Sequence, residues 1–189
     1  MNADQQKNLI KKYFDKEIEV IRHLDIDAIH EAVGAIWEAY KRDAVIYVFG
    51  NGGSAATASH FVCDFNKGIS EKKEKKFNFV CLSDNVPQMT AIANDFSYDE
   101  VFRYPLAGRL KPTDLVIGIS GSGNSRNVIR AVEYAKEIGA PVIGITGYNG
   151  GRLKELADYH MDANIDDMQI TEDIHMILDH MLFFILNQE

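Results

Sequence analysis

Short apolar runs separated by amphipathic stretches make up most of this chain. Ala44 to Phe49, Phe77 to Leu82, Leu115 to Ile119 and Val142 to Thr146 are β-branched and almost continuously apolar, and a weaker run covers Tyr159 to Ala163. A strand with one wet face alternates, whereas a strand covered on both faces does not. These runs therefore predict a mainly parallel five-stranded sheet buried between helices. Between them the spacing turns helical, over Ser54 to Asn66, Pro87 to Asn94, Asp99 to Leu110, Asn127 to Ile138, Arg152 to Ala157 and about Ile170 to Leu186. Strand and helix alternate, which predicts an α/β, doubly wound three-layer sandwich.

Two helices precede the first strand. From Ala3 to Leu24, the residues Leu9, Ile10, Tyr13, Phe14, Ile18 and Ile21 recur at helical spacing; a second helix runs from about Asp27, its expected N-cap, through Val33, Ile36 and Tyr40. Both carry more apolar surface than one sheet face requires, so packing against another subunit is expected. With 189 residues, one well-cored unit is the expectation, residues 1–42 serving oligomerisation and 43–189 forming the core.

Composition narrows the partners. A net charge of -8 argues against sequence-independent binding of a nucleic-acid backbone. No apolar run approaches the ~20 residues that span a bilayer, and no signal-peptide h-region opens the chain, so a cytoplasmic protein without membrane partners is expected. Cys63 and Cys81 have no metal-like spacing and read as core thiols of a reducing compartment. The run Glu71 to Lys76 reads as a solvated loop or helix end.

Two strand-to-helix turns carry candidate chemistry. After Phe49 come Gly50-Asn51-Gly52-Gly53-Ser54-Ala55-Ala56, and after Ile119 come Ser120-Gly121-Ser122-Gly123-Asn124-Ser125. Glycines let such a turn fold back with positive φ, while freed amides, hydroxyls and the positive end of the following helix face inward. Each is a cradle for phosphate. The spacing matches neither G-x-G-x-x-G, because Ala55 fills the third glycine's place, nor the G-K-[ST] of a triphosphate loop, so a nucleotide-dependent dehydrogenase is excluded.

Titratable groups gather on two helices. His60 and Asp64 stand four apart on one face of the helix leaving the first cradle, and Glu172, Asp173, His175, Asp179 and His180 crowd nine positions of an otherwise apolar final helix. Charge on such a helix needs a partner or a metal. On a helical wheel His180 is about 80° from Glu172 and about 20° from Asp173, so periodicity does not choose between those carboxylates. The set suits zinc or a similar divalent ion, and equally a general base and acid without metal.

The two turns, together with Ala93-Asn94-Asp95-Phe96 between them and Glu172-Asp173-Ile174-His175 to His180 after them, resemble the sugar isomerase (SIS) family, nearest its phosphoheptose isomerase branch. The resemblance covers nearly the whole chain. It implies a sugar-phosphate substrate, held by Asn51, Gly52, Gly53, Ser54, Asn94, Asp95, Ser120, Gly121, Ser122, Ser125 and Gln169. It implies a divalent metal, zinc in the family, at His60, Asp64, Glu172 and His180, with Asp64 as catalytic base and His180 as acid and base. It also implies a homotetramer with active sites between subunits. The chain departs from the family at three places: Asp64 stands for a glutamate, Glu172 for a glutamine, and Gln169-Ile170-Thr171 for an Asp-Arg-Ile run, while Lys67 lies near a substrate-side arginine. The alternative the resemblance allows is a non-catalytic sugar-phosphate sensor or a scaffold like the family's DnaA-initiator-associating member. The two carboxylate-histidine pairs favour the enzyme.

Overall fold

The computed structural model describes residues 1–189. Five parallel strands, β1 (Ile46–Phe49), β2 (Phe79–Cys81), β3 (Leu115–Ser120), β4 (Val142–Thr146) and β5 (Tyr159–Asp162), stand in the order β2-β1-β3-β4-β5. Val48 pairs with Ile117 and Ile117 with Ile143, so the middle of the sheet is a row of β-branched side chains. Alternate residues feed two separate cores. Ile46, Val48, Ile117 and Ile143 join Ile36, Phe61, Ile174 and Leu178 of the helices α2 (Ile26–Lys41), α3 (Gly53–Cys63) and α8 (Met168–Leu186). Tyr47, Phe49, Val116 and Val142 join Leu106, Val128, Val132 and Leu153 from α5 (Arg103–Leu106), α6 (Arg126–Ile138) and α7 (Gly151–Leu156). Both faces are dry, which is why the strands read as unbroken apolar runs.

The helices differ from expectation where the backbone is interrupted. Asp25, not Asp27, caps α2: its backbone is extended and its side chain accepts from the Ala28 amide at 3.0 Å. The helix expected over Asp99 to Leu110 is instead a 3₁₀ turn, Tyr98–Glu100, followed by the single turn of α5. Pro105 lies inside it and cannot donate to a preceding carbonyl. The helix expected to run to Asn66 ends at Cys63, and a π turn, Asp64–Gly68, carries the chain into a 3₁₀ turn, Ile69–Lys72. Cys63 is exposed rather than in the core, whereas Cys81 is buried, and burial pushes its thiol up to about 11.

The first helix, α1 (Ala3–Arg22), is anchored through polar contacts rather than through the core. Only Val20 is buried; Tyr13 donates to Asp173 of α8, and Lys16 pairs with Asp167 at 2.6 Å. Its apolar stripe, Leu9, Ile10, Phe14 and Ile18, is 45–56% exposed. No helix is long and apolar enough to cross a membrane.

Candidate active site

From β1 the chain steps to β2 on one side and then returns to place β3 on the other, so the turns after β1 and β3 diverge from neighbouring strand ends. That is the crevice where doubly wound sheets hold ligands. A cavity of about 280 Å³ opens there. Asn51, Gly52, Gly53 and Ser54 line it from the first turn, Ser120, Gly121, Ser122 and Ser125 from the second, and Met168 and Glu172 of α8 cover it. Gly52 takes φ 55° and ψ -122°, a conformation that a Cβ would strain.

Caps set these turns apart from four other helix starts. Asn2, Asp25, Asn85 and Asp167 cap α1, α2, α4 (Val86–Asp95) and α8 with their side chains. The helices that follow the two turns do not share this pattern: neither Gly52 ahead of α3 nor Ser125 ahead of α6 closes the helix with a side chain. Their first-turn amides face the cavity with partial positive charge, which suits an anion. Among the cavity's lining residues Glu172 is the one with an ionisable side chain. Attraction for a phosphate therefore comes from amides and hydroxyls.

Neighbouring side chains hold the two turns together. Asn51 and Asn127 exchange amide hydrogen bonds, each at 2.9 Å, and the Tyr98 hydroxyl donates to Asn51 at 2.8 Å. Ser120 donates to Ser125 at 3.1 Å. Asn127 is 2% exposed, so the pair is a buried bridge between the β1 turn and the start of α6. No spacing in the sequence marks Tyr98 and Asn127; their role needs the 3₁₀ turn and α6 to meet at Asn51.

A titratable cluster lies further along α3. His60, Asp64, Asp179 and His180 place one ligand atom each within 4.8 Å of one another. The His60 and His180 Nε2 atoms are 3.1 Å apart, and His60 Nε2 stands 3.5 Å from Asp64 and 3.9 Å from Asp179. Asp179 is fully buried, and neither carboxylate oxygen has a hydrogen-bond partner. Burial, and then the charge of Asp64, pushes its pKa up to about 8. Two converging imidazole nitrogens and an orphaned buried carboxylate are what a divalent cation would satisfy, so the residues fit such an ion.

The structure brings His60, Asp64 and His180 together as the resemblance implies, and Asp179 joins them. Glu172 stands apart. A Cβ built on Gly53 would lie 2.3 Å from a Glu172 carboxylate oxygen, which puts that carboxylate in the phosphate cavity. The reason is axial: eight residues of helix separate positions 172 and 180, about 12 Å. Asn94 and Asp95 bond to each other at 2.9 Å at the exposed end of α4, outside the cavity lining, as is the exposed Gln169. Lys67 is exposed and pairs with Glu71 at 3.3 Å. His175, expected in the same polar cluster, is buried under the sheet, its Nε2 3.0 Å from the Thr146 carbonyl.

Residues 12–147 match the SIS domain family. A probable phosphoheptose isomerase from Thermoplasma acidophilum is 38% identical over 179 residues, covering 95% of this chain and 98% of the relative. The phosphoheptose isomerase of Helicobacter pylori (strain ATCC 700392 / 26695) is 33% identical, covering 93% and 92%. The solved phosphoheptose isomerase of Neisseria gonorrhoeae superposes with a TM-score of 0.89 at 26% identity, covering 97% of this chain and all of its own. Sharing that family's domain and matching curated members end to end, the chain belongs to the SIS domain family, in which these relatives are phosphoheptose isomerases.

Proposed function

We propose that the protein is an aldose-ketose isomerase of sugar phosphates, of the phosphoheptose isomerase kind, interconverting sedoheptulose 7-phosphate and D-glycero-D-manno-heptose 7-phosphate. One observation carries this reading: α3 and α8 pack together, both start at the anion cavity, and both bear the His and Asp cluster further on. Ser54 and His60 are six residues apart, about 9 Å along α3. A phosphate anchored at the helix starts leaves the rest of the sugar to reach the cluster. The curated relatives support the substrate class.

In this reading Ser54, Ser120, Ser122 and Ser125, with Asn51 and the amides of Gly52, Gly53 and Gly121, hold the phosphate, while Asn94, Asp95 and Gln169 stand at the sugar's approach. Asp64 takes the proton from the carbon beside the carbonyl. His180 moves a proton between the two oxygens, so that the carbonyl migrates by one carbon. Holding the far end of the substrate turns both transfers into near-intramolecular steps. His60, Asp64 and His180 would hold a divalent cation, zinc by the chemistry of these donors, which would polarise the substrate oxygens.

The whole chain acts as one unit in this proposal, assembled as a cytoplasmic homotetramer with sites between subunits. The exposed stripe of α1 supports assembly, since a helix with one buried residue gains little from its own core. A monomeric sedimentation mass at micromolar protein would refute it. The catalytic assignment is tested by Asp64→Asn: turnover of sedoheptulose 7-phosphate should fall by about 10²–10⁴-fold, with the affinity for inorganic phosphate unchanged. Undiminished turnover overturns the base assignment.

A further inference from the structure

Helix α8 carries two carboxylates with no hydrogen-bond partner, and they sit at opposite ends of the site. Glu172 rests against Gly53 in the phosphate cavity, and Asp179 is buried beside His60. About 12 Å of helix separates positions 172 and 180, and the Glu172 carboxylate stands at Gly53 while Asp179 stands with the histidines. We propose that Asp179 is the fourth ligand of the divalent-cation site, with His60, Asp64 and His180, and that Glu172 belongs to the sugar-phosphate cavity instead. This rests on the reading of the cluster as a cation site.

Distances support the exchange. Ligands bound at ~2.0–2.2 Å around a tetrahedral ion stand roughly 3.3–3.6 Å from each other. His60 Nε2 is 3.1 Å from His180 Nε2, 3.5 Å from Asp64 and 3.9 Å from Asp179, so small side-chain adjustments close the set. Asp179 has no hydrogen-bond partner that would compete for it. A buried carboxylate in that condition is costly unless it ligates or is neutralised.

Charge agrees. Two carboxylates and two neutral imidazoles balance the charge of a divalent cation in full. A set containing one carboxylate and a neutral amide leaves one positive charge over. The expected consequence is a tightly held ion.

The experiment compares wild type, Asp179→Asn and Glu172→Ala, each loaded with zinc, dialysed and analysed for zinc per chain, then titrated against a chromophoric chelator. Glu172→Ala should keep stoichiometric zinc with affinity within about threefold of wild type. It should bind inorganic phosphate more tightly, because the cavity loses a like charge. Asp179→Asn should weaken zinc by at least about 100-fold, as loss of a ligand costs no less than loss of an outer partner. Circular dichroism confirms that each variant is folded; should Asp179→Asn fail to fold, the Glu172→Ala arm decides alone. Loss of zinc in Glu172→Ala, zinc retained by folded Asp179→Asn, unchanged phosphate affinity in Glu172→Ala, or a wild type that takes up no zinc each overturns the proposal. Turnover is not the readout: a chain that holds zinc through Asp179 and isomerises no sugar phosphate would sink the functional reading and leave the ligand assignment standing.

Discussion

At the sheet end of the site, α3 and α6 begin without capping side chains, and the anchoring groups are backbone amides and serine hydroxyls. Six residues along α3 from Ser54, two imidazoles and two carboxylates converge within 4.8 Å, drawn from α3, the π turn and α8. The first end is local: each turn's glycines and serines dictate its shape, and only their adjacency is tertiary. The second end is assembled from residues about 120 positions apart. An anchor made of amides needs no titration and holds an anion over a wide pH range. A cluster of imidazoles and carboxylates moves protons, and its state depends on packing.

The comparison predicts that the two ends separate on mutation. The largest effect is expected for His180→Gln, which should lower kcat by about 10²–10⁴-fold while inorganic phosphate binds as in wild type. Equal losses in both would show that the ends are not independent. Next comes Gly123→Ala in the second cradle. Gly123 has φ 65°, and a Cβ there would lie 1.9 Å from the Gly150 carbonyl oxygen. Chemical denaturation should show a loss of roughly 2–4 kcal/mol, and a smaller loss would mean that the loop yields.

Ser125→Ala probes the anchor without disturbing the cluster. Losing one hydrogen bond to a charged group costs about 1.5–3 kcal/mol, so substrate affinity should fall by about 10–150-fold with kcat nearly kept. A selective loss of kcat would contradict the division. The smallest effect concerns His175. Burial holds its pKa below the ordinary 6.5, outweighing the Thr146 carbonyl and the charge of Asp162. As pH falls below that value the unfolded chain takes up a proton that the folded chain refuses, so stability is lost toward acid, by at most about 1.4 kcal/mol per pH unit. Urea denaturation at neutral and mildly acidic pH should show this slope in wild type and a shallower one in His175→Asn; identical slopes would remove His175 as the cause.

Much of the architecture is legible in the residues alone. Val48, Ile117 and Ile143 mark strands covered on both faces, and the pair of Gly- and Ser-rich turns marks the cradles, because strand burial and turn geometry follow from periodicity and backbone freedom. Helix limits are less legible: Pro105 and the π turn after Cys63 interrupt patterns that still look helical on a wheel. Two hydrophobic faces of α1 and α8 also look alike in sequence, although one is exposed and the other lies in the core.

By itself the sequence determined the parallel α/β sheet, the two anion-cradling turns and the pairing of His60 with Asp64, each a consequence of spacing along one element. Only the tertiary structure decided which carboxylate of α8 meets the histidines. A wheel about one helix weighs Glu172 against Asp173 by angle, yet the outcome depends on how far α8 runs along α3. That axial offset leaves Glu172 at the cavity, turns Asp173 toward Tyr13, and brings Asp179 to the histidine pair, because packing between helices sets depth and periodicity sets only direction.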